Sequence, residues 1–129
     1  MRDYQRKGKY ILPKAVYHQV LWKIRDYYRL EEEAKRLLEL CGVQYTDMPR
    51  GSTPSYDKIG NIVQKREEIH KTIHKIDDCL LYIPSEYRKG IWDNIHYQKA
   101  FPLDADRSTY GRYKSLYIYL LAKRFNLIS

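Results

Sequence analysis

Apolar residues recur every three or four positions through much of the first 80 residues, which is the spacing of one face of an α-helix. The first stripe begins after Pro13 and ends before Gly42, residue types that favour a helix start and a helix end respectively. Its members are Val16, Val20, Ile24, Tyr27, Leu30, Ala34, Leu37 and Cys41. The pattern predicts one helix of about 28 residues, roughly 42 Å long.

The second stripe has the stricter spacing of a coiled-coil heptad, with alternating steps of three and four residues. Its members are Ile59, Ile62, Arg66, Ile69, Ile73, Ile76 and Leu80. We expect Arg66, the polar member, to pair with a glutamate among residues 31–33, because an unpaired buried charge is costly. The pattern predicts a second helix of about 25 residues. Residues 42–54 are rich in turn-forming types and predict a loop between the two helices.

Two long helices joined by a short loop bury their stripes most simply as an antiparallel hairpin, with a partner chain as the alternative. After Pro84 two shorter helices are predicted, one over residues 85–97 and one that starts with Asp106 or Ser108 as its N-cap and runs to Phe125. Strand-like alternation is not sustained anywhere in the sequence.

We therefore predict an all-α protein that forms a single compact domain. Its parts are a basic N-terminal arm (residues 1–12), a long, coiled-coil-like antiparallel helical hairpin (residues 13–82) and a C-terminal helix-turn-helix (residues 83–129).

The charge of the chain is strongly basic and unevenly distributed. Lys and Arg total 24 against 16 Asp and Glu, for a net charge of +8. Residues 1–12 carry +3 and residues 84–129 carry +4, whereas residues 13–83 carry only +1. Basic ends of this kind favour binding to a polyanion. The sequence shows neither a secretory signal nor an apolar run near the roughly 20 residues that span a bilayer, so we expect a cytoplasmic protein without a membrane partner.

The sequence lacks a motif for catalysis, nucleotide binding or metal binding. His70 and His74 stand four residues apart, but other ligands do not complete the set, and the zinc-protease pattern is absent. Asp77 and Asp78 are neighbours on a helix and point about 100° apart, so they would not share a proton. We therefore expect no enzyme activity, no metal and no cofactor.

The two C-terminal helices have the layout of a helix-turn-helix DNA reader, in which the first turns of the second helix enter the major groove. Arg and Lys donate to guanine edges and phosphates, Ser and Thr bind phosphate oxygens, and Gly lets the backbone approach the duplex. The candidate DNA-binding residues are Arg88 and Lys89 in the first of these helices, and Arg107, Ser108, Thr109, Gly111, Arg112 and Lys114 in the second.

Three segments of this region resemble the C-terminal part of small phage and prophage transcriptional regulators of the RinA and ArpU type. They are residues 83–92 (IPSEYRKGIW), 108–114 (STYGRYK) and 121–125 (LAKRF). That part is similar to the promoter-reading region 4 of sigma factors. Ile83, Pro84, Tyr87 and Arg88 match the opening of its first helix, and residues 108–110 match the start of its recognition helix, with Tyr110 in the buried place. Residues 100–106 depart from the sigma pattern, since they are too short for its middle helix.

The resemblance implies a sequence-specific regulator of late or packaging genes of a phage or prophage, which binds double-stranded DNA in a bacterial host cell. The hairpin would then bind a second copy of the chain, as a homodimer, or RNA polymerase. Two alternatives remain open. One is a DNA-packaging component resembling a small terminase subunit, which would form a ring. The other is a helical protein-interaction module that does not bind DNA.

Overall fold

A computed structural model describes residues 8–46 and 56–129 of the chain, with side chains for residues 8–40 and 59–129. These residues form five α-helices and no β-strand, as the all-α prediction requires. The helices are α1 (Lys14–Arg25), α2 (Tyr27–Thr46), α3 (Tyr56–Leu80), α4 (Ser85–Tyr97) and α5 (Arg107–Arg124). Residues 1–7 of the predicted arm and residues 47–54 of the predicted loop lie outside the described residues.

The helix predicted over residues 13–41 is two helices in the structure. α1 ends at Arg25, and the backbone N–H of its C-cap, Asp26, donates to the carbonyl of Trp22 at 3.0 Å. α2 begins at Tyr27. α2 also continues through Gly42 to Thr46, so Gly42 does not end the helix and the predicted loop starts too early. The apolar residues keep the same spacing across Asp26. That spacing shows which side of a helix is buried, but it does not show which other helix buries that side.

The described helices form two compact units. Unit 1 comprises the chain up to Asp26 together with residues 75–129, and unit 2 comprises residues 27–74. Within unit 1, α1 packs against α4 and α5, and α4 packs against α5. The Nε of Arg25 donates to the carbonyl of Ile95 at 2.8 Å and so ties the end of α1 to α4. Residues 13–26, which we assigned to the hairpin, thus pack with the C-terminal helices.

The core of unit 1 is built from large side chains that are almost fully buried. They are Leu21 and Ile24 of α1, Ile76 of α3, Ile91 and Ile95 of α4, and Tyr110, Tyr117, Ile118 and Leu121 of α5. Burying one such aliphatic side chain stabilises a fold by about 1.5–3 kcal/mol. The hydroxyl of Tyr117 donates to the carbonyl of Ile76 at 3.1 Å, which joins α5 to the last turns of α3.

In unit 2, α2 packs against the part of α3 before residue 75. Among the described side chains of this unit, Ala34, Leu37 and Ile69 are buried, and Leu30, Ile62 and Ile73 pack against them while partly exposed. The expected pair between Arg66 and residues 31–33 is not formed. The Nε of Arg66 is buried without a hydrogen-bond partner in the described part of the chain, and Glu33 instead pairs with Arg36 at 2.7 Å and with Lys65 at 3.6 Å.

None of the described helices combines the length and the hydropathy that are needed to cross a membrane.

Candidate nucleic-acid interface

The start of α5 is held against α4 by aromatic rings. The ring of Tyr87 meets Tyr110 edge-on, with centroids 5.1 Å apart, and stacks on Tyr113 at 5.0 Å. Phe101, in the segment between the helices, stacks on the ring of Tyr110, with centroids 5.2 Å apart. Each such aromatic pair is worth about 0.5–1.5 kcal/mol beyond its buried area, so the first turns of α5 have a fixed position on α4.

Two carboxylates precede α5. The hydroxyl of Tyr110 donates to Asp104 at 2.6 Å, and this hydrogen bond, together with burial, raises the pKa of Tyr110 to about 12. Asp106 takes the N-cap position, one of the two residues predicted for it, although its side chain makes no capping hydrogen bond. Negative charge at a helix N-terminus is favourable, so both carboxylates stabilise the start of α5.

A glycine allows the segment between the helices to approach α4. A Cβ atom at Gly90 would lie 2.7 Å from the ring of Pro102 and 2.8 Å from the ring of Tyr110. Both distances are far below van der Waals contact, and both neighbours are rigid rings. Gly90 is therefore required for the close packing of α4 on this segment and on α5.

Lys114, a predicted DNA-binding residue, donates to a buried side chain. Its Nζ lies 2.7 Å from Oδ1 of Asn94, which is 5% exposed. The amide nitrogen of Asn94 donates in turn to the carbonyl of Lys99 at 2.6 Å. Asn94 thus connects α4, the segment after it and α5, a role that the sequence analysis did not assign. Its position between Ile91 and Ile95, on the apolar face of α4, is the signal that could have identified it.

Arg88, another predicted DNA-binding residue, is also engaged within the protein. Its Nε donates to the carbonyl of Ile83 at 2.7 Å, and one terminal nitrogen donates to the carbonyl of Leu81 at 3.1 Å. These bonds hold the turn between α3 and α4. The position of Arg88 is fixed by the fold, and binding a phosphate would compete with those two carbonyls.

The other predicted residues lie at or near the surface. Lys89, Arg107, Ser108 and Arg112 are exposed, and Thr109 and Gly111 are partly buried. The guanidinium of Arg112 lies 5.8 Å from the ring centre of Tyr113. Within the described chain, neither Arg107 nor Arg112 forms an ion pair with a carboxylate. Their charges are therefore available to an outside ligand.

The accessible side of α5 is basic and free of acidic residues. The helix contains five Lys and Arg residues and no Asp or Glu. Residues at steps of four, three, four and four lie on one face, about 22 Å long, which we call the α5 face. It consists of Ser108, Arg112, Ser115, Tyr119 and Lys123, all exposed or partly exposed. Only Ser108 and Arg112 of this face were among the residues predicted from the sequence, and the helical spacing from Arg112 is the signal for the other three.

The N-terminal segment extends the α5 face. The rings of Tyr10 and Tyr119 lie 5.2 Å apart. The Nζ of Lys9 lies 5.6 Å from the centre of the Tyr10 ring, and the Nζ of Lys123 lies 5.2 Å from the centre of the Tyr119 ring. Two ammonium groups therefore flank a pair of tyrosine rings. Of these residues, Lys9 and Tyr10 belong to the predicted basic arm.

Comparison of the chain with protein-family models, curated proteins and solved structures finds no match. Over residues whose side chains are described, no three His, Cys, Asp or Glu residues come together as a group that could hold a metal ion.

Proposed function

We propose that this chain binds double-stranded DNA through the α5 face. The observation that carries the proposal is that α5 has five basic residues, no acidic residue and an accessible face about 22 Å long. The major groove of B-DNA is about 12 Å wide and admits an α-helix. A helix without carboxylates on its accessible side can enter that groove without repelling the phosphates on either edge.

In this proposal the first turns of α5 read the bases. Arg107 and Arg112 are exposed and carry no carboxylate partner among the described residues, so their guanidinium groups can donate to guanine N7 and O6. Ser108 and the backbone at Gly111 lie on the same side of the helix. A bidentate arginine contact discriminates against a wrong base by about 1–3 kcal/mol.

The lysines at the edges of this surface are proposed to contact the phosphates. Lys9 and Lys123 flank the Tyr10 and Tyr119 rings, and Lys89 is exposed on α4. Each neutralised phosphate releases counterions, so binding is expected to weaken steeply with salt. Arg88 and Lys114 donate to acceptors within the protein. We propose that they position α4 and α5 and do not contact DNA directly.

The carboxylates before α5 restrict how a duplex can lie on this surface. Asp104 is fixed by the hydroxyl of Tyr110, and Asp106 occupies the N-cap. Both repel phosphates, whereas a carboxylate can accept a hydrogen bond from cytosine N4. We expect the phosphate backbone to pass closer to Arg112 and Lys123 than to the first residue of α5.

A role in transcription rests on the resemblance to RinA- and ArpU-type regulators, with α4 and α5 as the helix-turn-helix. The proposed targets are late or packaging genes of a phage or prophage. Unit 2 offers a surface for a second copy, because Leu38 of α2 and Val63 of α3 are large apolar side chains that are 53% and 46% exposed. RNA polymerase is the alternative occupant. A ring of many copies would instead favour the packaging component, and sedimentation of the purified protein distinguishes these outcomes.

The direct test is selection of duplexes from a random pool, followed by fluorescence anisotropy with the enriched sequence. The variant Arg107→Ala/Arg112→Ala is expected to lose the enriched motif and to weaken binding by at least tenfold, one decade being 1.4 kcal/mol. The matched control is Lys35→Ala/Lys71→Ala, which removes two exposed charges from unit 2. Equal affinities of the two variants, with unchanged melting, would contradict the proposal.

A further inference from the structure

A second group of lysines surrounds an aromatic ring at the C-terminal end of α5. Phe125 follows the last residue of α5 and is partly buried. The Nζ of Lys23, from α1, lies 4.9 Å from the centre of its ring, and the Nζ of Lys75, from α3, lies 5.3 Å from the same centre. Three helices of unit 1 therefore bring two ammonium groups onto one ring. We call these three residues the Phe125 cluster.

The charges of the Phe125 cluster are not neutralised within the described chain. Lys23 and Lys75 form no ion pair with a described carboxylate. Asp78, three residues after Lys75, pairs with Arg124 at 3.4 Å. Because both ammonium groups lie close to a single ring centre, they are within about 10 Å of each other, about one Debye length at 0.1 M salt.

Two like charges held this close repel each other unless something of opposite sign lies between or beside them. The electron-rich face of Phe125 supplies part of that compensation through cation–π attraction. An anion supplies the rest, and a phosphate suits two ammonium groups because it offers several acceptor oxygens and a full negative charge. Both lysines are only partly buried, so such an anion can reach them from solvent.

We propose that the Phe125 cluster is a phosphate-binding site that takes a phosphodiester group of the DNA bound on the α5 face. This inference rests on the proposed function and extends its contact surface beyond that face. Lys123, at the end of the α5 face, is only two residues before Phe125, so both groups lie at the same end of α5. A nucleic-acid backbone, with a charge at every nucleotide, can span both groups, whereas a single small anion fills one.

The alternative is that these lysines only stabilise the fold and do not bind phosphate. Cations are favoured near helix C-termini, and Lys23 and Lys123 both stand in the last turn of their helices. Lys75 lies five residues before the end of α3 and is not explained in this way. If stabilisation were the whole role, removing the charges would lower the melting temperature and leave DNA affinity unchanged.

The experiment measures the affinity of a fluorescein-labelled 20-base-pair duplex between 50 and 200 mM KCl, roughly the range over which counterion release dominates. The variant is Lys23→Gln/Lys75→Gln, and the control is Lys14→Gln/Lys35→Gln, which removes the same charge from two exposed positions. The two lysines share one phosphodiester group, so we expect the slope of log affinity against log salt to become shallower by about 0.9 in the variant, the contribution of one phosphate contact. Should the double variant fail to fold, Lys75→Gln alone is expected to make the slope shallower by part of this amount, up to about 0.9.

The outcomes separate this inference from the function on which it rests. A slope equal to that of the control overturns the Phe125 cluster as a phosphate site, while loss of binding in Arg107→Ala/Arg112→Ala still supports the α5 face. Conversely, a shallower slope in the lysine variant with unaltered binding in the arginine variant supports the cluster and contradicts base reading by α5. A wild-type protein that does not bind the duplex at low salt overturns both.

Discussion

Unit 1 and unit 2 both contain amphipathic helices, but the described apolar faces of the two units are buried to different extents. In unit 1 the side chains of four helices meet, and hydrogen bonds such as Tyr117 to Ile76 and Lys114 to Asn94 cross between them. Among the described residues of unit 2, two helical segments share three buried side chains, and Glu33 pairs with the exposed side chains of Arg36 and Lys65. An apolar stripe thus identifies the inner side of a helix, but the number of neighbours decides how much that side stabilises the fold.

The largest expected effect tests this difference within a single helix. Ile76 and Ile69 belong to the same heptad stripe of α3, but Ile76 is 0% exposed in unit 1 and Ile69 is 7% exposed in unit 2. Truncating a buried isoleucine to alanine costs about 2–5 kcal/mol, with the higher values where the surroundings cannot collapse. We expect Ile76→Ala to fall in the upper part of this range and Ile69→Ala in the lower part.

Urea denaturation with residue-resolved hydrogen exchange measures the two losses separately. Protection in α4 and α5 is expected to fall in Ile76→Ala, and protection in α2 is expected to fall in Ile69→Ala. Equal losses from both substitutions would remove the distinction between the two units.

The next largest effect is expected from replacing one glycine in each unit by alanine. The substitution should lower stability in unit 1 and raise it in unit 2. In Gly90→Ala the new methyl group would overlap the rings of Pro102 and Tyr110, and overpacking of this kind costs about 1–3 kcal/mol. At Gly60, in α3, a Cβ atom meets nothing within 4 Å, so Gly60→Ala is expected to stabilise the helix by about 0.5–1 kcal/mol. Thermal melts of both variants check the signs. An unchanged melting temperature in Gly90→Ala would contradict this prediction and would show that the segment around Pro102 can move away from α4 at little cost.

The sequence predicted most of what depends on local chemistry. The all-helical content, the extent of α4 and the position of Asp106 before α5 follow from apolar spacing and from residues that favour helix starts. The break at Asp26 could not be predicted, because the stripe continues across it while the two halves pack in different units. The same limit applies to Lys114. Its charge suggested DNA, but its partner Asn94 is twenty residues away, and such a distant contact has no local pattern.

The smallest expected effect is the dependence of stability on pH. The two units are expected to lose stability in different pH ranges. In unit 1, burial lowers the pKa of His96 below its ordinary value of 6.5, and the charge of Arg25 lowers it further while Asp93 opposes the shift. In unit 2, the hydrogen bond from Arg36 lowers the pKa of Glu33 below its ordinary value of 4.5, with Lys65 adding to the effect.

Both shifts destabilise the folded state on acidification, but they begin at different pH. Just below pH 6.5 the unfolded chain takes up a proton at His96 more readily than the folded chain, so the stability of unit 1 falls as the pH decreases through 6.5 toward the lower folded pKa. The favourable interaction of Glu33 is complete above pH 4.5 and is lost only as the pH falls further. Hydrogen exchange at pH 7.0, 5.5 and 4.0 should therefore show α4 losing protection before α2, and His96→Gln should remove the first step because the side chain no longer titrates. Loss of protection in α2 already at pH 5.5, with α4 unchanged, would reverse the order that the burial of His96 requires.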